Sequence, residues 1–357
     1  MKKIVLTGGG TAGHVTPNIA LIPSLRESGY EIAYIGSYDG IEKKLIADFD
    51  IPYTGISTGK LRRYLDPKNF TDPFRVMKGF VEARNYLKWY RPDVVFSKGG
   101  FVSVPVVRAA ASLKIPCIIH ESDMTPGLAN KLCIPVAYKI CCNFPETMNE
   151  LPSGKAVLTG SPIRAELRQG NKIAGLDMCG FTANKPVIMV IGGSQGAANV
   201  NEAFRKALPK LLDDFQIVHL CGREKMDNLL LTTPGYKQFE YIKAELKDLF
   251  AMADIVISRA GANAICELLA LKKPNILIPL PSKSSRGDQL LNAKSFEAQG
   301  YSIVIDEDDL TTSLLVDKIH ELYFHRVNYT DAMSKSNRMD AIPGIIKLIN
   351  EASGMSG

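Results

Sequence analysis

A histidine that directly follows a glycine-rich loop is the residue best placed for acid–base chemistry in this sequence of 357 residues. Gly8, Gly10 and Gly13 have the spacing G-x-G-x-x-G, and His14 comes next. Glycine lets the backbone approach a phosphate, and the start of the following helix offers N–H groups to it. The positive end of a helix disfavours imidazolium, so we expect His14 to be neutral at pH 7 and able to accept a proton. A histidine that only caps the loop is an equally weighted alternative.

A second glycine-rich loop, GGSQGA at residues 192–197, follows the most apolar predicted strand. Its amides and the Ser194 hydroxyl are suited to a phosphate in the same way. Two such loops suit a reaction between two phosphorylated molecules held across an interdomain cleft. Glycines that serve only tight packing of strand against helix are the alternative. A nicotinamide dinucleotide is disfavoured, because the nearest acid, Asp39, lies beyond the end of the second predicted strand.

Further polar residues lie near the predicted carboxyl ends of strands, where open α/β sheets bind ligands. Arg164 is suited to clamp a diphosphate bidentately, although most surface arginines have no such role. Glu267, one turn inside a predicted helix, is placed to accept from both hydroxyls of a ribose. An acid that stabilises the positive end of the helix is the alternative for Glu267. Asp288 and Gln289 open another predicted helix.

No residue pattern indicates a metal site or a bound cofactor. No pair of histidines has ligand spacing, and the P-loop lysine and the G-x-S-x-G elbow are absent. We expect the acidic run at 306–309 to be a solvated turn. Seven Cys residues without C-x-x-C spacing favour reduced thiols in a cytosolic protein.

Short β-rich runs alternate with helix-length segments along the chain, which predicts βαβ units and parallel sheets. Because the unit of strand, glycine loop and helix recurs, we predict an α/β fold with two doubly wound, Rossmann-like domains. Their predicted bounds are 1–162 and 163–339. The sequence leaves open which domain the C-terminal helix (340–357) packs on, and a return to the first domain is one option.

The net charge of +6 is concentrated in one segment. Residues 60–91 contain nine Lys or Arg and three Asp or Glu residues, so the rest of the chain is neutral. A general polyanion-binding protein is therefore disfavoured, whereas a local basic and aromatic contact surface is predicted. The sequence contains neither a signal peptide nor the ~18 apolar residues that span a bilayer, so we expect any membrane contact to be peripheral and cytosolic.

Seven segments, in order along nearly the whole chain, resemble the signatures of the MurG family of bacterial N-acetylglucosaminyltransferases, which make lipid II of peptidoglycan. They are GGGTAGHVTP (8–17), KGGFVSVP (98–105), HESDMTPGLANK (120–131), TGSPIR (159–164), GGSQGAANVN (192–201), SRAGANAICE (258–267) and RGDQLLNA (286–293). Seven such segments in register are highly specific. The resemblance implies two Rossmann-like domains facing across a cleft, in the glycosyltransferase-B arrangement.

The resemblance also implies the substrates. The donor is UDP-N-acetylglucosamine, bound mainly by the second domain. The acceptor is undecaprenyl-diphosphate-linked N-acetylmuramyl pentapeptide, whose C4 hydroxyl attacks the anomeric carbon with inversion. One base and stabilisation of the leaving group then suffice.

Site residues follow from the same resemblance. His14 matches the proposed base, and Glu267 matches the ribose-binding acid. Arg164 and Ser194 match contacts of the UDP diphosphate, and Ile242 matches a backbone contact of uracil. The other positions implied for the donor are Thr11, Ala12, Gly13, Asp123, Gly193, Ala262, Asn263, Ala264, Asp288 and Gln289. The positions implied for the acceptor and its loops are Gly9, Gly10, Phe101, Val102 and Ser103.

The chain departs from the family at several of these positions. Ala12 stands where a third loop glycine is frequent, and Phe101 stands where Tyr is frequent. Ser122 and Asp123 replace Gln-Asn, and Asp288 replaces a common Gln. Asn201 matches a loop position whose role is less defined. These differences concern sugar and acceptor contacts rather than the type of reaction.

A lipid-linked acceptor stays in the bilayer, so the basic and aromatic segment is predicted to dock on an anionic membrane surface. The residues predicted for this contact are Arg62, Arg63, Phe70, Phe74, Arg75, Met77, Lys78 and Phe80. An ordinary amphipathic helix with a solvated basic face is one alternative, and single-stranded nucleic acid is another, which we disfavour.

Taken together, these features predict a UDP-N-acetylglucosamine-dependent, inverting hexosyltransferase of peptidoglycan synthesis on the cytoplasmic face of the cell membrane. One alternative is another lipid glycosyltransferase that uses a UDP-sugar, such as a diacylglycerol glucosyltransferase. A nucleotide-sugar-binding protein without transfer activity is the other.

Overall fold

In the computed structural model the chain folds into two compact units. The structure describes residues 1–59, 68–192, 197–283, 287–336, 338 and 340–354, without the side chains of 68–71. Unit 1 comprises Met1–Arg164 and Asp340–Gly357, and unit 2 comprises Ala165–Met339. This division falls two residues after the predicted boundary, so Arg164 lies in unit 1. The binding roles predicted for the two domains remain predictions.

The described part of unit 1 is built on one sheet of seven parallel strands. They are β1 (Lys2–Thr7), β2 (Tyr30–Ser37), β3 (Tyr53–Ile56), β4 (Val94–Ser97), β5 (Cys117–Glu121), β6 (Lys139–Cys142) and β7 (Ala156–Leu158). Their spatial order is β3-β2-β1-β4-β5-β6-β7, and every neighbouring pair is parallel. The order reverses between β1 and β4, which is where a doubly wound sheet opens a ligand crevice at the carboxyl ends of its strands.

The described part of unit 2 repeats this topology with six parallel strands. They are β8 (Val187–Ile191), β9 (Gln216–Leu220), β10 (Tyr236–Phe239), β11 (Ile255–Ser258), β12 (Asn275–Leu277) and β13 (Ser302–Val304). The spatial order is β10-β9-β8-β11-β12-β13, so the reversal lies between β8 and β11. The prediction of two doubly wound α/β domains is confirmed.

Helices connect the strands. They are α1 (Thr16–Glu27), α2 (Ile41–Ile46), α3 (Lys68–Tyr90), α4 (Ser103–Ser112), α5 (Leu128–Cys133), α6 (Lys172–Cys179), α7 (Ala198–Leu211), α8 (Leu246–Met252), α9 (Ala262–Ala270), α10 (Asp288–Ala298), α11 (Thr312–Ser334) and α12 (Ile342–Ala352). Among the described residues no helix has both the length and the apolar character needed to cross a bilayer.

Both faces of the unit 1 sheet are buried under helices. Val5 points to a core shared with Ala83 of α3 and Val106 of α4. Its neighbours Ile4 and Leu6 point to the opposite core, which α1 covers. Successive side chains of a strand point to opposite faces, so strands covered on both sides read as continuous apolar runs, as β1 does.

The C-terminal helix α12 packs on the first unit. Ala341, Ile345 and Ile349 are buried in the same core as α1. Lys2 Nζ donates to the carbonyl oxygen of Ser353 (2.7 Å), and Tyr30 Oη donates to Asn350 Oδ1 (2.9 Å). The chain therefore starts and ends in unit 1.

Truncation of Ile345 tests this packing. Because its side chain is fully buried, we expect Ile345→Ala to lower the free energy of unfolding of unit 1 by about 2–5 kcal/mol. Chemical denaturation followed by circular dichroism measures the change. The matched control is Lys347→Ala on the exposed face of α12, for which we expect less than about 0.5 kcal/mol. Equal losses in both variants would contradict the packing.

Candidate active site

The loops after β1 and β4 leave the unit 1 sheet side by side. Thr7 lies opposite Ser97 in the parallel register, so residues 8–15 and 98–102 start at neighbouring points of the carboxyl edge. These are the loops of the first and second family-like segments. The topology therefore brings together the two glycine-rich stretches that sequence analysis assigned to base and acceptor.

Two glycines allow these loops to touch. Gly10 and Gly100 both have positive φ angles, of 85° and 83°. A Cβ atom at Gly10 would overlap the ring of Phe101, and one at Gly100 would overlap the carbonyl oxygen of Gly9 and lie 3.0 Å from His14 Cδ2. Larger residues at these positions would separate the loops. His14 is thus packed directly against the loop after β4.

The ring orientation of His14 follows from one hydrogen bond. Its Nδ1 lies 3.2 Å from the carbonyl oxygen of Lys98. A carbonyl oxygen only accepts, so in the neutral imidazole Nδ1 carries the hydrogen and Nε2 is the basic nitrogen. His14 is partly exposed, as a base that meets a substrate must be.

Lys98 itself is fully buried behind these loops. Its Nζ donates to His120 Nδ1 (2.9 Å) and to Ser122 Oγ. His120 Nε2 lies 2.8 Å from the carbonyl oxygen of Gly160 and donates to it. Burial, and then the charge of Lys98, hold the pKa of His120 well below its ordinary value, so this histidine is neutral and accepts from the ammonium.

The loop that contains Asp123 is held by a buried acid. Glu121 accepts from the backbone N–H groups of Ser122 (2.8 Å), Asp123 (3.1 Å) and Gly127 (2.9 Å). Asn130 Nδ2 also donates to it (2.8 Å). Burial raises the pKa of Glu121, and the bond from Asn130 opposes that rise. The loop is thus wrapped around a carboxylate, with Asp123 partly exposed on it.

The remaining residues predicted for the acceptor loops differ in exposure. Gly9, Val102 and Ser103 are buried, and Ser103 Oγ donates to the carbonyl oxygen of Gly100 (2.8 Å). These three residues shape the loops from inside. Gly10, Thr11 and Ala12 are exposed, while Gly13 and Phe101 are partly exposed.

In unit 2 the corresponding switch point lies between β8 and β11, where Ile191 is opposite Ser258. Arg259 follows β11, and its Nη1 donates to the carbonyl oxygens of Ile278 (3.0 Å) and Pro279 (3.3 Å) and to Glu307 Oε2. The side chain of Glu307 is only 7% exposed. The prediction that 306–309 is a solvated turn is therefore wrong for Glu307, because this acid pairs with a buried guanidinium.

Asn201, in the first turns of α7, is part of a buried relay of hydrogen bonds. Asn201 Nδ2 donates to the carbonyl oxygen of Cys221 (2.9 Å), so its Oδ1 is the acceptor that faces His219 Nε2 (3.0 Å). His219 Nε2 must then carry the hydrogen, and Nδ1 accepts from Tyr236 Oη (2.8 Å). The relay fastens the start of α7, directly after the second glycine loop, to the carboxyl end of β9.

Apart from Ile242, the described donor residues of unit 2 lie on the helices that start at this edge. Ala262, Asn263 and Ala264 open α9, and Glu267 follows one turn later, partly buried. Gln289 Oε1, at the start of α10, accepts from the N–H of Leu280 (3.1 Å). Ile242 is partly exposed after β10, and Asp288 is partly exposed at the start of α10.

The residues predicted for the donor are divided between the units. Thr11, Ala12, Gly13, Asp123 and Arg164 belong to unit 1. The others that are described belong to unit 2. Gly193 and Ser194 lie outside the described residues, as do Arg62 and Arg63 and the side chain of Phe70. Across the described residues, no three His, Cys, Asp or Glu side chains form a group that could hold a metal ion.

Helix α3 carries an exposed apolar and basic face. Phe74 is 78% and Met77 65% exposed, and Arg75 and Lys78 are exposed beside them. Phe80 was predicted for the same surface, but it is partly buried and packs against the core of unit 1, on the other side of the helix. This prediction is wrong, because the helical period places residue 80 on the inward face.

Sequence analysis missed several residues that hold loops in place at the carboxyl edge of one sheet or the other. Lys98, His120, Glu121 and Arg259 lie within the family-like segments, but no role was predicted for any of them. Their common signal is a polar residue that directly ends, or follows, a buried parallel strand.

Comparisons with known proteins place both units in one family. Residues 4–142 match the glycosyltransferase family 28 N-terminal domain, and residues 187–349 match its C-terminal domain. A protein of Lachnospira eligens, named UDP-N-acetylglucosamine–N-acetylmuramyl-(pentapeptide) pyrophosphoryl-undecaprenol N-acetylglucosamine transferase, is 65% identical over 99% of this chain and 100% of its own. A protein of the same name from Lachnoclostridium phytofermentans is 66% identical over 98% of this chain and 99% of its own. The crystal structure of Acinetobacter baumannii MurG aligns with a TM-score of 0.79 at 26% identity, covering 98% of this chain and 100% of that chain.

The relay through His219 predicts a specific acid sensitivity. Burial, and then the charge of Arg205, lower the pKa of His219 to about 3, whereas an unfolded histidine has a pKa of about 6.5. Between these values only the unfolded chain binds the proton. Stability is therefore lost as the pH falls below about 6.5, by about 1.4 kcal/mol for each pH unit.

We expect His219→Gln to be less stable than wild type at pH 7, because the relay is broken. Its melting temperature should, however, fall less than that of wild type between pH 7 and pH 5. Calorimetry at both pH values measures this difference. The matched control is His325→Gln on the exposed surface of α11, which should keep the wild-type pH dependence. If the melting temperature of His219→Gln falls with pH as steeply as that of wild type, this histidine is not neutral in the folded chain.

Proposed function

The chain belongs to glycosyltransferase family 28, within the N-acetylglucosamine transferases that it matches over its whole length, and on this premise we propose how its residues perform the transfer. The reaction moves N-acetylglucosamine from UDP-N-acetylglucosamine to the C4 hydroxyl of undecaprenyl-diphosphate-linked N-acetylmuramyl pentapeptide, a step of peptidoglycan synthesis. The observation that carries the mechanism is the hydrogen bond from His14 Nδ1 to the carbonyl oxygen of Lys98.

His14 acts as the general base. Its Nε2 accepts the proton of the C4 hydroxyl while the hydroxyl oxygen forms a bond to the anomeric carbon. The bond from that carbon to the diphosphate oxygen breaks at the same time, and UDP leaves with the bonding electrons. A single displacement inverts the configuration and needs no nucleophile from the enzyme.

UDP departure requires stabilisation of negative charge on the diphosphate. We assign this to Arg164 and to the amides of the loop that contains Gly193 and Ser194. Glu267 holds the ribose hydroxyls, and the backbone of Ile242 meets uracil. Backbone groups of residues 262–264, together with Gln289, contact the sugar. The relay from Asn201 to Tyr236 supports these assignments, because it fixes the helix that follows the donor loop.

The acceptor is held in a bilayer by its lipid, and we assign the exposed face of α3 to membrane contact on the cytoplasmic side. Phe74, Met77 and Val81 lie at helical spacings of three and four residues, and all three are at least half exposed. Apolar side chains that enter the interface, beside cations that meet anionic headgroups, are the usual means of peripheral attachment. Helix α3 is firmly attached to unit 1, because Glu82 accepts from the N–H of Ser57 (2.6 Å).

The function is tested by transfer of labelled sugar from UDP-N-acetylglucosamine to the lipid-linked muramyl pentapeptide. UDP-glucose and diacylglycerol serve as the alternative donor and acceptor. Preference for UDP-glucose and diacylglycerol would favour a different lipid glycosyltransferase. Binding of UDP-sugar without release of UDP in the presence of acceptor would favour a protein that only binds nucleotide sugars.

Replacement of the base gives a sharper result. We expect His14→Ala to lower kcat by about 10²–10⁴-fold, because proton transfer from the acceptor is lost, and to leave UDP-N-acetylglucosamine binding within twofold of wild type. Steady-state kinetics and calorimetric titration of the donor measure these two quantities. His325→Ala should retain full turnover. If His14→Ala also retains it, His14 is not the base.

Membrane docking is tested with vesicles that contain phosphatidylglycerol. We expect Phe74→Ser with Met77→Ser to weaken vesicle binding at least tenfold, because two exposed apolar anchors are lost. Arg75→Gln with Lys78→Gln should weaken binding only when the vesicles are anionic, by roughly 1 kcal/mol for each charge removed. Both pairs should leave UDP-N-acetylglucosamine binding unchanged.

The matched control is Phe324→Ser with Val327→Ser on α11, a pair with the same spacing and similar exposure, 78% and 60%, in unit 2. This pair should bind vesicles as wild type does. Binding of a single-stranded oligonucleotide in preference to vesicles at the same salt concentration would exclude the membrane role.

A further inference from the structure

Glu42 is a fully buried acid beneath the first glycine loop. It lies near the start of α2, in the connection that follows β2. Its Oε2 accepts from the N–H of Gly10 (3.1 Å). Its Oε1 accepts from the N–H (2.9 Å) and the hydroxyl (2.5 Å) of Ser37. Backbone N–H groups can only donate, so both oxygens act as acceptors, as those of a carboxylate do.

The carboxylate occupies a cradle that three glycines leave open. A Cβ atom at Gly9 would lie 2.5 Å from Glu42 Cδ, and one at Gly36 would lie 2.7 Å from Glu42 Cγ. A Cβ atom at Gly40 would overlap Glu42 Oε1. Glycine loops of this type ordinarily admit the phosphate of a ligand. Here a side chain of the protein itself fills that space.

The loop that Glu42 holds is the one that carries His14. Gly10, with its positive φ angle, lies between the carboxylate and the ring of Phe101. The single helical turn at 12–14 follows at once, closed by the bond from the N–H of His14 to the carbonyl oxygen of Thr11 (3.1 Å). A displacement of Gly10 would therefore also displace the exposed tip of the loop and the imidazole of His14.

We propose that Glu42 is a positioning residue for the transfer reaction: its carboxylate replaces a bound anion in the glycine cradle and fixes the loop that carries the base. The role rests on the proposed function, in which His14 accepts the acceptor proton. Glu42 touches neither substrate, and its contribution passes through the Gly10 amide. A displacement of about 1 Å at a catalytic group is worth roughly 100-fold in rate, so the expected effect is large.

Chemical rescue tests this proposal. In Glu42→Ala the cradle loses its carboxylate, and we expect kcat to fall about 10–100-fold while KM for UDP-N-acetylglucosamine stays within twofold. Sodium formate, a carboxylate slightly smaller than the group that was removed, should restore kcat at least fivefold. Formamide has the same shape without the charge and should not restore it. A merely structural loss would respond to neither additive.

Glu42→Gln provides a second variant that keeps the packing. It should fold with a melting temperature close to that of wild type and show a smaller loss of kcat. The matched control is Glu31→Ala on the preceding strand β2, whose carboxylate pairs with Lys3 near the surface and should not affect turnover. Full turnover in both variants at position 42, or a loss of rate that formate does not relieve, would overturn the positioning role.

Wild-type transfer, measured in the same series, separates the two proposals. Absence of transfer by the wild-type chain would contradict the proposed function. Transfer by wild type together with an unimpaired Glu42→Ala variant would contradict only the role of Glu42.

Discussion

A charge removed from water must be matched by hydrogen bonds, and this constraint organises both candidate binding edges. Glu42 and Lys98 are fully buried behind the loops of unit 1, and the side chain of Arg259 is 12% exposed behind a loop of unit 2. Each satisfies its charge with backbone or side-chain groups of loops that follow neighbouring strands at the carboxyl edge of its sheet. The penalty for burial would return if a loop moved away, so these ions make each loop conformation the favoured one.

The direction of each hydrogen bond determines which ring nitrogen of a histidine carries the hydrogen. A carbonyl oxygen accepts and never donates, so the carbonyl groups of Lys98 and Gly160 fix the hydrogens on His14 Nδ1 and His120 Nε2. The Asn201 amide fixes that of His219 in the same way. His120 and His219 are held neutral by burial and serve as connectors. His14 is partly exposed, which leaves it as the histidine at these edges that can exchange a proton with a substrate.

Local pattern was sufficient to predict the two doubly wound units and the loops that carry the chemistry, because a glycine loop between a strand and a helix is a signal contained in a few residues. It was not sufficient for the side chains behind those loops. Glu42 bonds to Gly10, 32 positions earlier, and His120 to Gly160, 40 positions later, and no local period encodes such contacts. From the sequence, Asp39 is the acid nearest to the end of β2. The sequence does not show that the chain turns Glu42 inward. Phe80 was misplaced because a basic and aromatic composition does not show which face of α3 is buried.

Two of the predicted departures from the family pattern, Ser122 and Asp123, lie next to each other on the loop after β5. The hydroxyl of Ser122 accepts a hydrogen bond from the ammonium of Lys98. The backbone N–H groups of Ser122 and Asp123 still bond to Glu121, so the course of the loop does not depend on the identity of either side chain. The Ser122 hydroxyl is thus bonded to a buried lysine of unit 1, whereas Asp123 is partly exposed on that loop, where we propose that a substrate meets it.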